Sequence, residues 1–144
     1  MQQIRSFDQE NAAQVGWGIR VMLITRDGTD GPVTRRIAGL GGQIDHCDEL
    51  YTGLSLLGDN PYSYGLIAVD CDAFGGLDAV RKVFAKLEED AARVPVILIS
   101  RDCPVQIFPV DRGGPVVLRA PVSAVSLRVG FEHALRYRLA TRMI

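Results

Sequence analysis

The chain has 144 residues, 47% of them hydrophobic and 23% charged, with 16 Lys and Arg against 17 Asp and Glu for a formal net charge of −1. That length suits one domain with a full core, and the composition excludes a disordered chain. The near-neutral balance gives no electrostatic reason for a nucleic-acid or acidic-membrane partner.

No apolar run approaches the roughly 18 residues of a membrane span, and the N-terminal MQQIRSFDQENAAQVG lacks a signal-peptide core. Cys47, Cys71 and Cys103 are odd in number and form no CxxC pair, so the expected setting is a reducing cytoplasm without a disulfide framework. Residues 1–18 read as an arm or one short helix, since Ser6 and Gln9 have capping-box spacing; the main domain is expected over 19–142.

Five short apolar runs then alternate with helical patterns, the order of a parallel sheet covered on both faces. The first strand is Ile19–Thr25 (IRVMLIT), followed by a turn over Arg26–Gly31. Pro32 opens a helix in which Val33, Ile37 and Leu40 share a face, and Gly41-Gly42 hands over to a second strand, Gln43–Cys47. A helix with Leu50, Leu54 and Leu57 in register is stopped by Gly58 and Pro61. The third strand, Gly65–Val69, is continuously apolar, as a central strand should be. After Asp70 and a loop with Gly75-Gly76 comes a helix with Leu77, Val80, Phe84 and Leu87 inward and Arg81, Lys82, Lys86, Glu88 and Glu89 outward.

The fourth strand is Val94–Ser100. Arg101–Gly114 contains Pro104, Pro109 and a glycine pair, so the helix due there is expected to be shortened or irregular. A fifth strand, Pro115–Arg119, precedes a last helix capped by Ser123 and reaching about Arg142, with Leu127, Phe131, Leu135 and Leu139 buried.

Ligands of an open parallel sheet collect beyond the carboxyl ends of its strands. Those ends carry Arg26, Asp27, His46, Cys47, Asp70 to Asp72, Ser100 to Cys103, and Ala120-Pro121. The stretch LIAVDCDAFGGLDAVRKV, the serine ending VPVILIS, and RAPVS, taken in this order and spacing, resemble the receiver domains of bacterial two-component response regulators over about residues 19–140. The resemblance implies a flavodoxin-like, doubly wound, five-stranded parallel sheet of order 2-1-3-4-5. It also implies that Asp70 is the phosphoacceptor equivalent, Gly75 the loop glycine, and Ser100, Val117 and Ala120 the switch equivalents.

The departures matter as much. Active receivers are similar in carrying two adjacent acids after the first strand that help hold Mg²⁺, whereas here the pair reads Arg26-Asp27. A guanidinium there repels the ion and is expected to pair with Asp70. The family's phosphoryl-holding lysine is Ala120, and Arg119 points to the opposite face and cannot replace it; the aromatic switch residue is Val117. Phosphoryl transfer depends on positioned cations. The expected protein is therefore an atypical receiver, not an enzyme, with phosphorylation lost or weak and no cofactor; Mg²⁺ would enter only through Asp27 and Asp70. Asp72 is expected as a solvated loop acid and Ser100 as an ordinary strand-end hydroxyl.

Two alternatives stand beside it. One is a working phosphoaspartate relay on Asp70, since Asp27 and Ser100 survive. The other is a small flavodoxin-like ligand binder or enzyme, although RDGTDGP is neither GxGxxG nor a Walker loop. Metal or redox use of the cysteines with His46 matches no ligand spacing. The apolar run Val105, Ile107, Phe108 and Val110, with Arg128 and Arg136 on the last helix, is the expected surface for a protein partner or a homodimer. With no helix-turn-helix or winged-helix segment appended, DNA is not an expected partner.

Overall fold

Side chains alternate across a strand with period two, so each buried strand feeds two cores at once. The computed structural model describes residues 17–87, 94–110 and 114–136. Within them run β1 (Arg20–Ile24), α1 (Pro32–Gly39), β2 (Gln43–Cys47), α2 (Leu50–Asp59), β3 (Leu66–Asp70), α3 (Leu77–Phe84), β4 (Val96–Ser100), β5 (Val116–Arg119) and α4 (Ala124–Ala134). All strand pairings are parallel, as the alternation of strands and helices implied, and the sheet order is β2-β1-β3-β4-β5, as the family resemblance implied.

Val21, Leu23, Leu66, Ala68, Ile97, Ile99 and Leu118 face α1 and α4, against Ile37, Leu127 and Phe131. Met22, Ile24, Ile67, Val69, Leu98 and Val117 face α2 and α3, against Leu54, Leu57 and Val80. Val117, the aromatic-switch position, is thus a fully buried core side chain. Ser123 caps α4 by accepting the Ser126 N–H at 3.0 Å. Before α3, Gly75 and Gly76 have φ of 96° and 99°, left-handed values that favour glycine, so the pair in the loop is a backbone requirement. Helix α3 ends at Phe84, and Leu87 packs on the same core from the following turn. Residues 1–16, Glu88, Glu89 and the expected run of the last helix over 137–142, with Leu139, lie outside the described residues.

No helix forms among the described residues between β4 and β5. Pro104 and Pro109 lack the N–H a helix needs, and the chain instead lies along the outer edge of β5. Ile107 and Val117 exchange both backbone hydrogen bonds at 2.9 Å in an antiparallel bridge. Arg119 donates its backbone N–H to Gln106 Oε1 (3.1 Å) and its side chain to the carbonyls of Cys103 (2.9 Å) and Pro104. An otherwise open sheet edge is thereby covered. From α4, His133 bonds the Pro109 carbonyl, and Arg136, just past the helix, bonds the Val110 carbonyl at 2.9 Å.

This arrangement corrects part of the expected partner surface. Phe108 is half-buried, packed against the α1/α4 core and edge-on to His133 with ring centroids 5.8 Å apart. Arg136 is half-buried and serves as a clip for the segment. Val105, Ile107 and Val110 do face outward, 72%, 42% and 87% exposed, and Val125 and Val129 add exposed apolar positions on α4.

Candidate functional site

The strand order reverses between β1 and β3, which leaves a crevice at their carboxyl ends. There the structure forms a cleft of about 630 Å³ lined by Asp27, Arg36, Asp70, Asp72, Gly75, Gly76, Arg101, Asp102 and Ala120, among others. Asp27, Asp70, Asp72 and Ala120, singled out in the sequence, therefore share one cavity.

Asp70 ends β3 half-buried, and the buried Thr25 hydroxyl at the end of β1 donates to its Oδ2 at 3.4 Å. Burial raises the Asp70 pKa, the Asp27 and Asp72 carboxylates raise it further, and the Thr25 hydrogen bond opposes the rise. A carboxyl whose folded pKa lies above its unfolded one favours folding at low pH and loses that contribution as pH rises through the folded pKa. Asp70→Asn is therefore expected to raise Tm at pH 7. The gain should shrink on acidification and vanish below the ordinary carboxyl value near 3.8. Thermal scans of both proteins between pH 3 and 8 check this, and a lower Tm for the variant at pH 7 would contradict it.

Two sequence expectations are corrected here. Arg26 does not pair with Asp70: its guanidinium lies over the Phe74 ring, 5.0 Å from the centroid, on the exposed side of the loop. Thr25 and Arg26 are neighbours on an extended chain, so one turns inward and the other out. Asp72 is not merely solvated. Its Oδ1 accepts the Ser100 hydroxyl at 2.6 Å and its Oδ2 the Arg101 N–H at 2.9 Å. Ser100 in turn is completely buried and accepts the Asp102 N–H at 3.1 Å.

Sequence reasoning missed Arg36. It stands four residues after Pro32 on the helix that starts at the cleft, and an i+4 count from that start would have placed it on the same side. Arg36 and Arg101 bring cations to the cleft, whereas Ala120 brings a methyl group. The Ala120–Pro121 peptide beside it is cis. His46 sits on the edge strand β2 with its Nε2 3.0 Å from the Thr34 hydroxyl, and does not line the cleft. Burial pushes the Cys71 thiol up to about 12, so it is not a ready nucleophile or ligand. Mg²⁺ requires near-octahedral oxygen ligands. With Arg26 in place of one acid and both Asp72 oxygens engaged, the described residues bring no group of three or more metal-ligating side chains together here, and this donor set does not fit the ion.

The parallel 2-1-3-4-5 sheet is the flavodoxin-like fold that receiver domains of response regulators share, and Asp70 ends its central strand. The response regulator PhyR from Brucella abortus superposes with a TM-score of 0.59 at 14% identity, over 98% of this chain and 58% of that one. The anti-anti-sigma factor PhyR from Bartonella quintana gives 0.53 at 17% identity over 99% and 58%. The receiver domain of the sensor histidine kinase PA1611 from Pseudomonas aeruginosa PAO1, solved with a magnesium ion in its active site cleft, gives 0.58 at 17% identity over 83% and 98%. The chain thus spans 58% of the length of each PhyR structure. No protein-family model matches the sequence, and no curated protein matches it. Among the described residues no helix is long and apolar enough to cross a membrane.

Proposed function

We propose that this chain is an atypical receiver-fold signalling module, its receiver unit spanning residues 19–142, that works by protein–protein contact in the cytoplasm with phosphorylation of Asp70 lost or weak. The observation that carries this reading is Ala120. It lines the same cleft as Asp70 and offers no ammonium group to a phosphoryl oxygen, while Arg26 is turned away and offers no ligand to a metal. Developing charge on a transferred phosphoryl group needs fixed cations, and the lysine and half of the metal-binding acids are absent. The outward-facing Val105, Ile107 and Val110, with Arg128 on α4, supply the contact surface for a protein partner or a second copy. The likeness to an anti-anti-sigma factor supports an output by binding.

A second reading, a working phosphoacceptor, draws on Arg36 and Arg101, two residues that line the cleft and whose side chains suit phosphate. Incubation with acetyl phosphate and Mg²⁺ at neutral pH, followed by intact-mass measurement, separates the two. The wild-type chain is expected to stay unmodified over times that label an active receiver. A stoichiometric adduct lost in Asp70→Asn would establish the second reading instead.

A further inference from the structure

The Ser100 hydroxyl and the adjacent Arg101 N–H converge on the two oxygens of one carboxylate, that of Asp72, at 2.6 and 2.9 Å. A hydroxyl and a neighbouring amide aimed at one anion make an oxyanion-binding pair, and bonds of this charge-assisted kind are roughly twice as strong as neutral ones. Asp72 and Arg101 line a solvent-reachable cleft with Ser100 buried next to them, and the anion that fills the pair comes from the chain itself, two residues past Asp70. Ser100 is completely buried, so its hydroxyl needs partners, and it finds them in Asp72 and the Asp102 N–H.

The same bonds reach the contact surface. The turn over Arg101 and Asp102 leads to Cys103, whose carbonyl accepts from Arg119 Nε at 2.9 Å. Gln106 then accepts the Arg119 N–H, and Ile107 pairs with Val117. Asp72 stands at one end of this run, and the exposed Val105 and Ile107 are carried by the other.

We propose that Asp72 occupies, from within the chain, an oxyanion site formed by the Ser100 hydroxyl and the Arg101 N–H. By filling it, Asp72 holds the 101–107 segment and its apolar side chains in one arrangement without any modification of Asp70. The inference rests on the functional reading above only in taking that segment as the contact surface. Asp72 is a positioning residue here, and its loss opens a site for small oxyanions such as formate.

Amide hydrogen exchange read by NMR on the intact chain tests it. In Asp72→Ala, exchange at Arg101 and Asp102 should accelerate roughly tenfold or more, and Ile107 severalfold, while β1 and β3 stay as in wild type. Added sodium formate should restore slow exchange at Arg101 in Asp72→Ala, and should fail in Asp72→Ala with Ser100→Ala. Should the alanine variant not fold, Asp72→Asn, which keeps the side-chain size and one acceptor, should still exchange faster than wild type at Arg101 or Asp102. Unchanged exchange at Arg101, acceleration spread evenly over the whole sheet, or a formate effect that survives loss of Ser100 would each overturn the proposal, as would no formate effect at all. Covalent phosphate on Asp70 would overturn the functional reading and leave these results standing; unchanged exchange would do the reverse.

Discussion

Arg26→Asp combined with Ala120→Lys is expected to turn an unlabelled chain into one that takes phosphate from acetyl phosphate on Asp70. Asp70 already ends the central strand in a cleft with Asp27, so the nucleophile and one acid are in place. What the cleft lacks is a complete oxygen set for Mg²⁺ and an ammonium group past β5. Arg26→Asp replaces a guanidinium that lies over Phe74 with an acid beside Asp27, and Ala120→Lys supplies a cation at a position that lines the cavity. A single preorganised charge partner is worth on the order of 10²-fold in such a transfer, so the double variant should exceed wild type by at least that factor. Arg26→Asp alone should tighten Mg²⁺ binding, visible by calorimetry, and adding Asp70→Asn should abolish labelling. Asp72→Ala should raise labelling further by freeing the Ser100 hydroxyl and the Arg101 N–H. A double variant that stays unlabelled despite clear Mg²⁺ binding would mean that Asp70 is wrongly placed for attack.

Phe108→Ala is expected to lower stability by about 2 kcal/mol, roughly half the cost of a fully buried Phe→Ala because the ring is only half-buried. Its ring packs on the core beneath α4 and meets His133 edge-on, so truncation leaves a gap where the irregular segment joins the sheet edge. For a domain of this size that loss lowers Tm by on the order of 5–10 °C. Light scattering should show no change in mass, because the side chain faces inward. Val105→Glu and Val110→Glu provide the contrast. Both positions are largely exposed, so the charge should leave Tm within a degree or so and should weaken any self-association or partner binding that uses this face. If Phe108→Ala dissociated an oligomer at constant Tm, the ring would belong to the interface and not to the core.

The alternation of apolar runs with helical stripes determined the sheet, because burial patterns are local: LIAV reads as a buried strand wherever it stands, and Ser123 reads as a cap from its own neighbourhood. Parallel order follows from the same alternation, since each strand must cross over through a helix to reach the next. That placed Asp27, Asp70 and Ala120 in one cleft, all of them at strand ends. The replacement of an acid by Arg26 and of a lysine by Ala120 was equally plain from residue identity. Partner choice was not. Asp72 and Ser100 are 28 residues apart, and their bond exists only because β3 and β4 lie side by side with their ends level. Arg26 could reach Asp70 on a linear reading, but the turn of the chain after Thr25 sends it to Phe74. Phe108 looked exposed because two prolines forbid a helix, and the alternative it found, the uncovered edge of β5, is a feature that only the assembled sheet possesses.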